Sequence, residues 1–127
     1  MATIRKTYVI DAPPETVWRA LTDAAAMEEW GAGPADFDPR VGGVFSQWGG
    51  DIHGTVTAVV PGGRLVEEWW ADDWALPTVA AFTLSEHGEG TLLELKHTEV
   101  PDEEADEYDA GWDVSYLGPI KEWAEGA

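Results

Sequence analysis

The stretch that decides the fold is Ile52–Val60, IHGTVTAVV, followed by Pro61-Gly62-Gly63 and then by Arg64–Trp70, RLVEEWW. Both flanking runs follow a period of two, which is typical of strands with one buried face. The three residues between the runs are too few for a crossover helix, and they include the turn-forming residues Pro and Gly. The stretch therefore predicts an antiparallel hairpin.

The same period of two continues on both sides of this hairpin. Five further strands are predicted, at Thr3–Ile10, Asp36–Asp38, Val44–Trp48, Thr78–Glu86 and Thr91–Thr98. The strands after residue 40 are separated by short breaks, among them Gly49-Gly50-Asp51, Asp72-Asp73 and His87-Gly88-Glu89-Gly90. Closely spaced turns of this kind indicate successive hairpins, so the seven strands form one antiparallel sheet.

Helical patterns lie between the first two strands and after the last one. Two short helices are predicted, at Pro14–Leu21 and Ala24–Trp30, where prolines open the first helix and glycine follows the second. After Pro101 an aromatic stripe predicts the longest helix, and Gly118-Pro119 is expected to kink it. One sheet covered on one face by helices is an α+β domain.

The composition and net charge restrict the classes of function that the chain can have. The 127 residues are expected to form one domain, 1–127, and the lack of cysteine excludes disulfide frameworks and thiol chemistry. Twenty-five acidic residues against seven basic ones give a net charge of −18, so nucleic acid and anionic membranes are excluded as partners. No run is long and apolar enough to span a membrane, and we expect a cytoplasmic protein.

The acidity has two interpretations, and the sequence favours neither. Excess negative charge suits a protein adapted to high salt, where screening reduces the repulsion among its charges. An ordinary acidic cytosolic protein is the other interpretation.

Several phrases together resemble the START-like, or SRPBCC, superfamily, and within it the branch named for homology to the activator of the heat-shock-protein-90 ATPase. The phrases are Ala12-Pro13-Pro14-Glu15-Thr16-Val17-Trp18, Ala20-Leu21-Thr22-Asp23, Arg40-Val41-Gly42-Gly43-Val44-Phe45, Leu65-Val66 with Trp69, Gly90-Thr91 with His97, and Gly111-Trp112. The resemblance implies a helix-grip fold, in which a curved seven-stranded antiparallel sheet wraps around the C-terminal helix and encloses a cavity. Tyr116 and Pro119 depart from the family pattern, which has an aliphatic residue there.

Aromatic side chains are the richest functional signal, because flat rings can line an apolar cavity and polar tips can orient a ligand. The predicted ligand-binding residues are Trp48, Trp69, Phe82, His97, Tyr108, Trp112 and Tyr116. The expected function is non-catalytic binding of a small hydrophobic molecule, aromatic or lipid-like. The alternative is that these rings only fill the core. No cofactor is expected, and a homodimer is one alternative for the oligomeric state.

Other functions depend on other residues. Glu67 and Glu68 are adjacent on a strand, so one of them faces the concave side and could act with His97 as acid and base in a cyclase- or hydrolase-type enzyme. The two orientations are not distinguished by the sequence. The three histidines lack metal-ligand spacing, so no metal site is predicted. A chaperone-related interaction module is the third alternative.

Overall fold

The structure, a computed structural model, describes residues 1–71 and 74–126. Its seven strands are β1 (Ala2–Ile10), β2 (Asp36–Phe37), β3 (Val44–Gln47), β4 (Ile52–Val60), β5 (Arg64–Ala71), β6 (Thr78–His87) and β7 (Gly90–Val100). All seven were predicted to within two residues at each end, and β2 is shorter than predicted by one residue. The predicted turn at Asp72-Asp73 lies outside the described residues.

The strands form one antiparallel sheet in the order β1-β7-β6-β5-β4-β3-β2. The predicted hairpin of β4 and β5 is present, with Val60 opposite Arg64 and Val56 opposite Glu67. Strands β1 and β2 follow each other in the chain but lie at opposite edges, because the two short helices connect them across the concave face. The predicted α+β class and the helix-grip architecture are confirmed.

The two short helices are α1 (Pro14–Thr22) and α2 (Ala24–Trp30). Pro14 begins α1, where a missing backbone N–H leaves nothing unpaired. The carboxylate of Asp23 accepts a hydrogen bond from the Ala25 backbone N–H at 3.3 Å and so caps α2. Gly31 ends α2 with a φ of 116°. The chain can therefore turn sharply towards the sheet.

The C-terminal helical segment changes type three times. It consists of a 3-10 turn (Asp102–Glu104), α3 (Ala105–Gly111), a π turn (Trp112–Leu117) and α4 (Gly118–Gly126). The disturbance predicted at Gly118-Pro119 takes the form of this π turn, in which the Gly118 N–H bonds to the Asp113 carbonyl five residues back. A Cβ at Gly118 would lie 2.3 Å from that carbonyl oxygen, so glycine is required for this geometry.

The segment is held against the sheet by charge at one point and by apolar packing at another. The carboxylate of Asp113 accepts hydrogen bonds from the Tyr8 hydroxyl at 2.5 Å and the Lys6 ammonium at 2.7 Å, both on β1. The aliphatic end of the core, defined by Ile10, Val17, Leu21, Leu93, Leu117 and Ile120, lies where α4 contacts α1 and β1, and all six side chains are fully buried. The opposite, aromatic end of the core contains the site.

Candidate functional site: an aromatic cavity

A cavity of about 290 Å³ opens between the C-terminal helical segment and the β3–β5 side of the sheet. Its lining residues are Trp48, Asp51, Ile52, Trp69, Glu107, Tyr108, Gly111, Trp112, Ser115 and Tyr116. Five of these residues are rings that the sequence analysis proposed for a ligand site. The other two proposed residues, Phe82 and His97, are not among the described residues that line the cavity, and both are fully buried in the core.

The ring of Trp48 reaches the cavity through an unusual backbone conformation. The residue begins a 3-10 turn with a φ of 51°, a left-handed conformation that costs a non-glycine residue about 1–2 kcal/mol. The Trp48 N–H donates to the Ala32 carbonyl at 2.8 Å, and the Gly49 N–H donates to the Pro34 carbonyl at 3.0 Å. These bonds hold the strained turn. The prediction that β3 continues through Trp48 was wrong for this reason.

The rings form a connected wall. The centroids of Trp112 and Tyr116 are 4.6 Å apart, and those of Trp69 and Trp112 are 5.3 Å apart. Tyr108 packs edge-on against Trp69 at 6.0 Å, and Trp48 lies 5.9 Å from Tyr116. Large planar side chains meet at an angle here and leave space between them. Aliphatic side chains, whose methyl groups interdigitate, would fill that space.

His97 lies behind this wall with both ring nitrogens engaged. The Trp112 indole N–H donates to Nδ1 at 3.0 Å, so the proton of the neutral ring is on Nε2. Nε2 then donates to the Thr78 hydroxyl at 2.7 Å, and that hydroxyl donates to the Trp69 carbonyl at 2.8 Å. Burial lowers the pKa of His97 to about 4. The histidine thus positions Trp112 and is held neutral.

Phe82 supports the wall from within the core. Its ring stacks on Tyr116 at 6.0 Å and meets Trp112 edge-on at 5.8 Å. The side chain has no exposed area. Alternation along β6 gives Phe82 the concave face, but its depth below the cavity depends on the packing of the rings above it.

The orientation of the two adjacent glutamates is settled by the register. Glu67 is fully buried on the concave face and Glu68 is half-buried on the other. Neither carboxylate oxygen of Glu67 has a hydrogen-bond partner among the described residues, and burial raises its pKa well above its ordinary value. Nearby Tyr116 also has a raised pKa, first from burial and then from the charge of Glu67.

A buried amide completes this inner polar group. The Gln47 amide nitrogen donates to the Tyr116 hydroxyl at 3.0 Å, while its carbonyl oxygen lacks a partner within the described chain. The Trp69 indole N–H is also buried without a described partner. Sequence analysis missed Gln47, although alternation along β3 gives it the same face as Phe45.

The sequence analysis also did not identify the residues at the rim of the cavity. Asp51 and Glu107 are exposed carboxylates that line the cavity, one in the turn before β4 and the other on α3. Gly111 and Ser115 follow Glu107 along the helical segment and also line the cavity. A Cβ at Gly111 would meet no atom within 4 Å, so this glycine opens the cavity rather than allowing close approach to the sheet.

A second concavity, of about 360 Å³, lies on the outer face of the sheet and has a different character. Its lining includes four of the seven basic residues, Arg5, Lys6, Arg64 and Lys96, together with Glu94. The lining is polar, so an apolar ligand fits the first cavity better.

Across residues 1–71 and 74–126, no group of three or more His, Cys, Asp or Glu side chains is arranged to hold a metal ion. No helix in the described part of the chain is long and apolar enough to cross a membrane.

Comparison with known proteins assigns the family. The family model described as "Activator of Hsp90 ATPase homolog 1-like protein" matches residues 11–125. The "Activator of 90 kDa heat shock protein ATPase homolog" of Dictyostelium discoideum is 31% identical over 88 residues, which are 67% of this chain and 23% of that protein. The chain therefore spans less than two thirds of this relative's length.

Two solved structures share the fold over nearly the whole chain. An HSP90 activator from Plasmodium falciparum superposes with a TM-score of 0.87 at 26% identity and covers 94% of both chains. The Aha1 dimer from Colwellia psychrerythraea gives a TM-score of 0.83 at 22% identity and covers 98% of this chain and 97% of that one. The resemblance inferred from the sequence phrases is confirmed, and this chain belongs to the Activator of Hsp90 ATPase homolog 1-like family.

Proposed function

We propose that this domain binds a small, predominantly apolar molecule in the aromatic cavity, without transforming it. The observation that carries the proposal is the cavity itself, since five aromatic residues line about 290 Å³ of space at one end of an otherwise filled core. This volume lies at the lower end of known ligand pockets, which span roughly 300–1,000 Å³. The ligand is therefore fragment-sized.

Backbone strain supports the same conclusion. A tryptophan in the left-handed region persists only where surrounding bonds impose it, and such strain concentrates at functional sites. At Trp48 the strain places a large ring beside the cavity, where it also contacts the buried rings of Trp30 and Tyr116. A purely structural role would be served by a tryptophan in the ordinary strand conformation.

The experiment is thermal unfolding with increasing concentrations of small aromatic molecules, beginning with indole. A ligand that binds only the folded protein stabilises it by about 2.7 kcal/mol at a hundredfold excess over its dissociation constant. We expect a saturable rise in the unfolding temperature. A panel of such compounds that gives no saturable rise would contradict the proposal.

Substitution of Gly111 by phenylalanine provides the matched variant. The backbone at Gly111 is helical and a side chain there enters the cavity, so Gly111→Phe should fold and lose the response to indole. Ala110→Phe is the control, because Ala110 is the exposed neighbour and does not line the cavity. An equal response in both variants would place binding elsewhere.

The enzymatic alternative is weakened by the environment of His97. A general base needs a free lone pair, and the only lone pair of this neutral ring accepts the Trp112 N–H. The unpartnered Glu67 carboxylate makes no hydrogen bond to His97. The two residues therefore do not form the acid–base pair that the alternative requires.

A chaperone-related interaction is the second candidate, favoured by the family and by the likeness to an HSP90 activator. Val41 and Val44 are exposed by 64% and 67% near the edge strand β2, and they are candidate contacts for a protein surface. The test is stimulation of HSP90 ATPase activity by this domain and its loss in Val44→Ser. A domain that neither binds nor stimulates HSP90 would dismiss this candidate.

A further inference from the structure

We infer that the aromatic cavity selects an organic cation, a molecule that carries an ammonium group on an apolar body. This inference rests on the proposed function, because it names the chemical class of the ligand in the same cavity. It comes from three features of the site: the faces of its rings, the charges at its rim and an unpartnered carboxyl group beneath it.

The rings are the first feature. Trp48, Trp69 and Trp112 bring three indoles to one cavity, and Tyr108 and Tyr116 add two phenols. The face of each ring carries partial negative charge that attracts a cation within about 6 Å, and tryptophan is the strongest of the three ring types. Several rings around one cavity act on the same bound cation, whereas a neutral ligand gains only contact area.

The rim is the second feature. Asp51, in the turn before β4, and Glu107, on α3, both line the cavity, and none of the described residues that line it is lysine or arginine. The side chains of Arg5, Arg64 and Lys96, three of the seven basic residues, instead line the concavity on the outer face of the sheet, and the Lys6 ammonium is paired with Asp113. The domain thus separates its charges, and the field at the cavity favours a cation.

The third feature is the carboxyl group of Glu67. It is fully buried on the concave face, two residues from the cavity-lining Trp69, and lies close enough to Tyr116 to act on that hydroxyl. Both of its oxygens lack hydrogen-bond partners among the described residues. A bound cation favours the ionised form of the Glu67 carboxyl group. The ionised group then adds negative potential behind the rings that line the cavity.

The experiment compares two molecules of the same shape by isothermal titration calorimetry. Phenethyltrimethylammonium carries the charge, and its carbon isostere, with carbon in place of nitrogen, does not. We expect the cation to bind at least about tenfold more tightly, a difference of about 1.4 kcal/mol, because cation–π contacts are stronger in a desolvated site than at an exposed one. Phenylpropanoate, an anion of similar size, should bind more weakly than either.

Variants of the rim separate local attraction from the net charge of the protein. Glu107→Gln should weaken binding of the cation about threefold and leave the isostere unchanged, as expected for one exposed charge. Glu103→Gln is the matched control, because Glu103 is exposed on the same helical segment and does not line the cavity. Equal weakening by both variants would show that only the overall charge matters and would overturn the inference.

The outcomes separate the two proposals. If the isostere binds as tightly as the cation and Gly111→Phe abolishes both, the cavity is a ligand site and the preference for a cation is wrong. If neither molecule binds and the aromatic panel also gives no response, the proposed function itself fails. Tighter binding of the cation that is lost in Gly111→Phe and reduced in Glu107→Gln supports both.

Discussion

The two ends of the core are built from different side chains. They also differ in how completely the side chains fill the space and in whether their buried polar atoms have hydrogen-bond partners. At the aliphatic end, branched side chains from α1, α4, β1 and β7 interlock, as Val17, Leu21 and Ile120 illustrate, and none of the three has exposed area. At the aromatic end, rings surround a cavity. One end of the core is therefore packed by aliphatic side chains, and the other leaves the space in which we propose that a ligand binds.

The two ends also differ in whether their buried polar atoms have hydrogen-bond partners. The buried side-chain atoms without a described hydrogen-bond partner are Gln47 Oε1, both carboxylate oxygens of Glu67 and Trp69 Nε1, and all of them belong to the aromatic end. Each buried polar group left unpaired costs about 1–3 kcal/mol. Functional sites tolerate such costs more often than the rest of a core does, which fits the proposed site.

Removal of Trp112 should have the largest effect on stability. The ring is buried at the aromatic end and contacts Trp69, Phe82, His97 and Tyr116. We expect Trp112→Ala to lower the free energy of unfolding by about 3–5 kcal/mol, measured by urea denaturation.

Leu21→Ala is the counterpart at the aliphatic end, with an expected loss of about 2–5 kcal/mol and intact ligand binding. A loss below about 1 kcal/mol in Trp112→Ala would mean that the aromatic end is not tightly packed around this ring.

The second prediction concerns acid. Burial lowers the pKa of His97 from 6.5 to about 4, so the unfolded chain takes up a proton at a pH where the folded protein does not. Stability from this residue is complete above pH 6.5 and is lost as the pH falls towards about 4, a loss of about 3 kcal/mol. Urea denaturation at several pH values of the wild type and His97→Gln measures the difference. Parallel pH profiles of the two proteins would contradict the assignment.

Glu67 should have the opposite dependence on pH. Burial raises its pKa above the ordinary 4.5, so the folded protein keeps a proton that the unfolded chain releases. The stability associated with Glu67 is complete below pH 4.5 and declines as the pH rises towards the folded pKa. Glu67→Gln removes this decline and should be more stable than the wild type near neutral pH, on the order of 1–3 kcal/mol.

The comparison of Glu67→Gln with the wild type should be repeated at about pH 4, where we expect the advantage to shrink. An advantage that is independent of pH would show that Glu67 is not the titrating group. The outward neighbour provides the control, since Glu68→Gln should change stability little at either pH.

The last stability prediction concerns the effects of substitutions at two glycines of the C-terminal helical segment. Gly111→Ala adds a methyl group in open space on a helical backbone and should raise the free energy of unfolding by about 0.5–1 kcal/mol. Gly118→Ala should destabilise the protein, because its Cβ would lie 2.3 Å from the Asp113 carbonyl oxygen. Thermal unfolding of both variants checks this prediction, and stabilisation by Gly118→Ala would contradict the π-turn geometry.

The sheet and helices were predictable because their signals are local. Alternation along β4 and β5 and the turn at Pro61-Gly62-Gly63 require no knowledge of distant contacts. The family resemblance then supplied the way in which the sheet grips the helix. The depth of side chains below the surface was not predictable, and so Phe82 was expected to line the cavity that it supports.

Features of the site that depend on partners distant in sequence also escaped prediction. The bonds of His97 to Thr78 and Trp112 join three elements, and the left-handed backbone of Trp48 is imposed by bonds from the Ala32–Pro34 connection. The orientation of Glu67 needed the register of β5 against β4. No pattern in a single segment contains such information.

We propose that ligands enter the aromatic end of the core, and the indole N–H resonances of the tryptophans report on this directly. In a nitrogen-resolved NMR titration with phenethyltrimethylammonium, we expect saturable shifts for Trp48, Trp69 and Trp112, which line the cavity. The resonance of Trp123, whose N–H donates to Glu29 on the surface at 3.0 Å, should not move. Uniform small shifts of all indoles, or shifts confined to Trp123, would show that the ligand does not bind in the cavity.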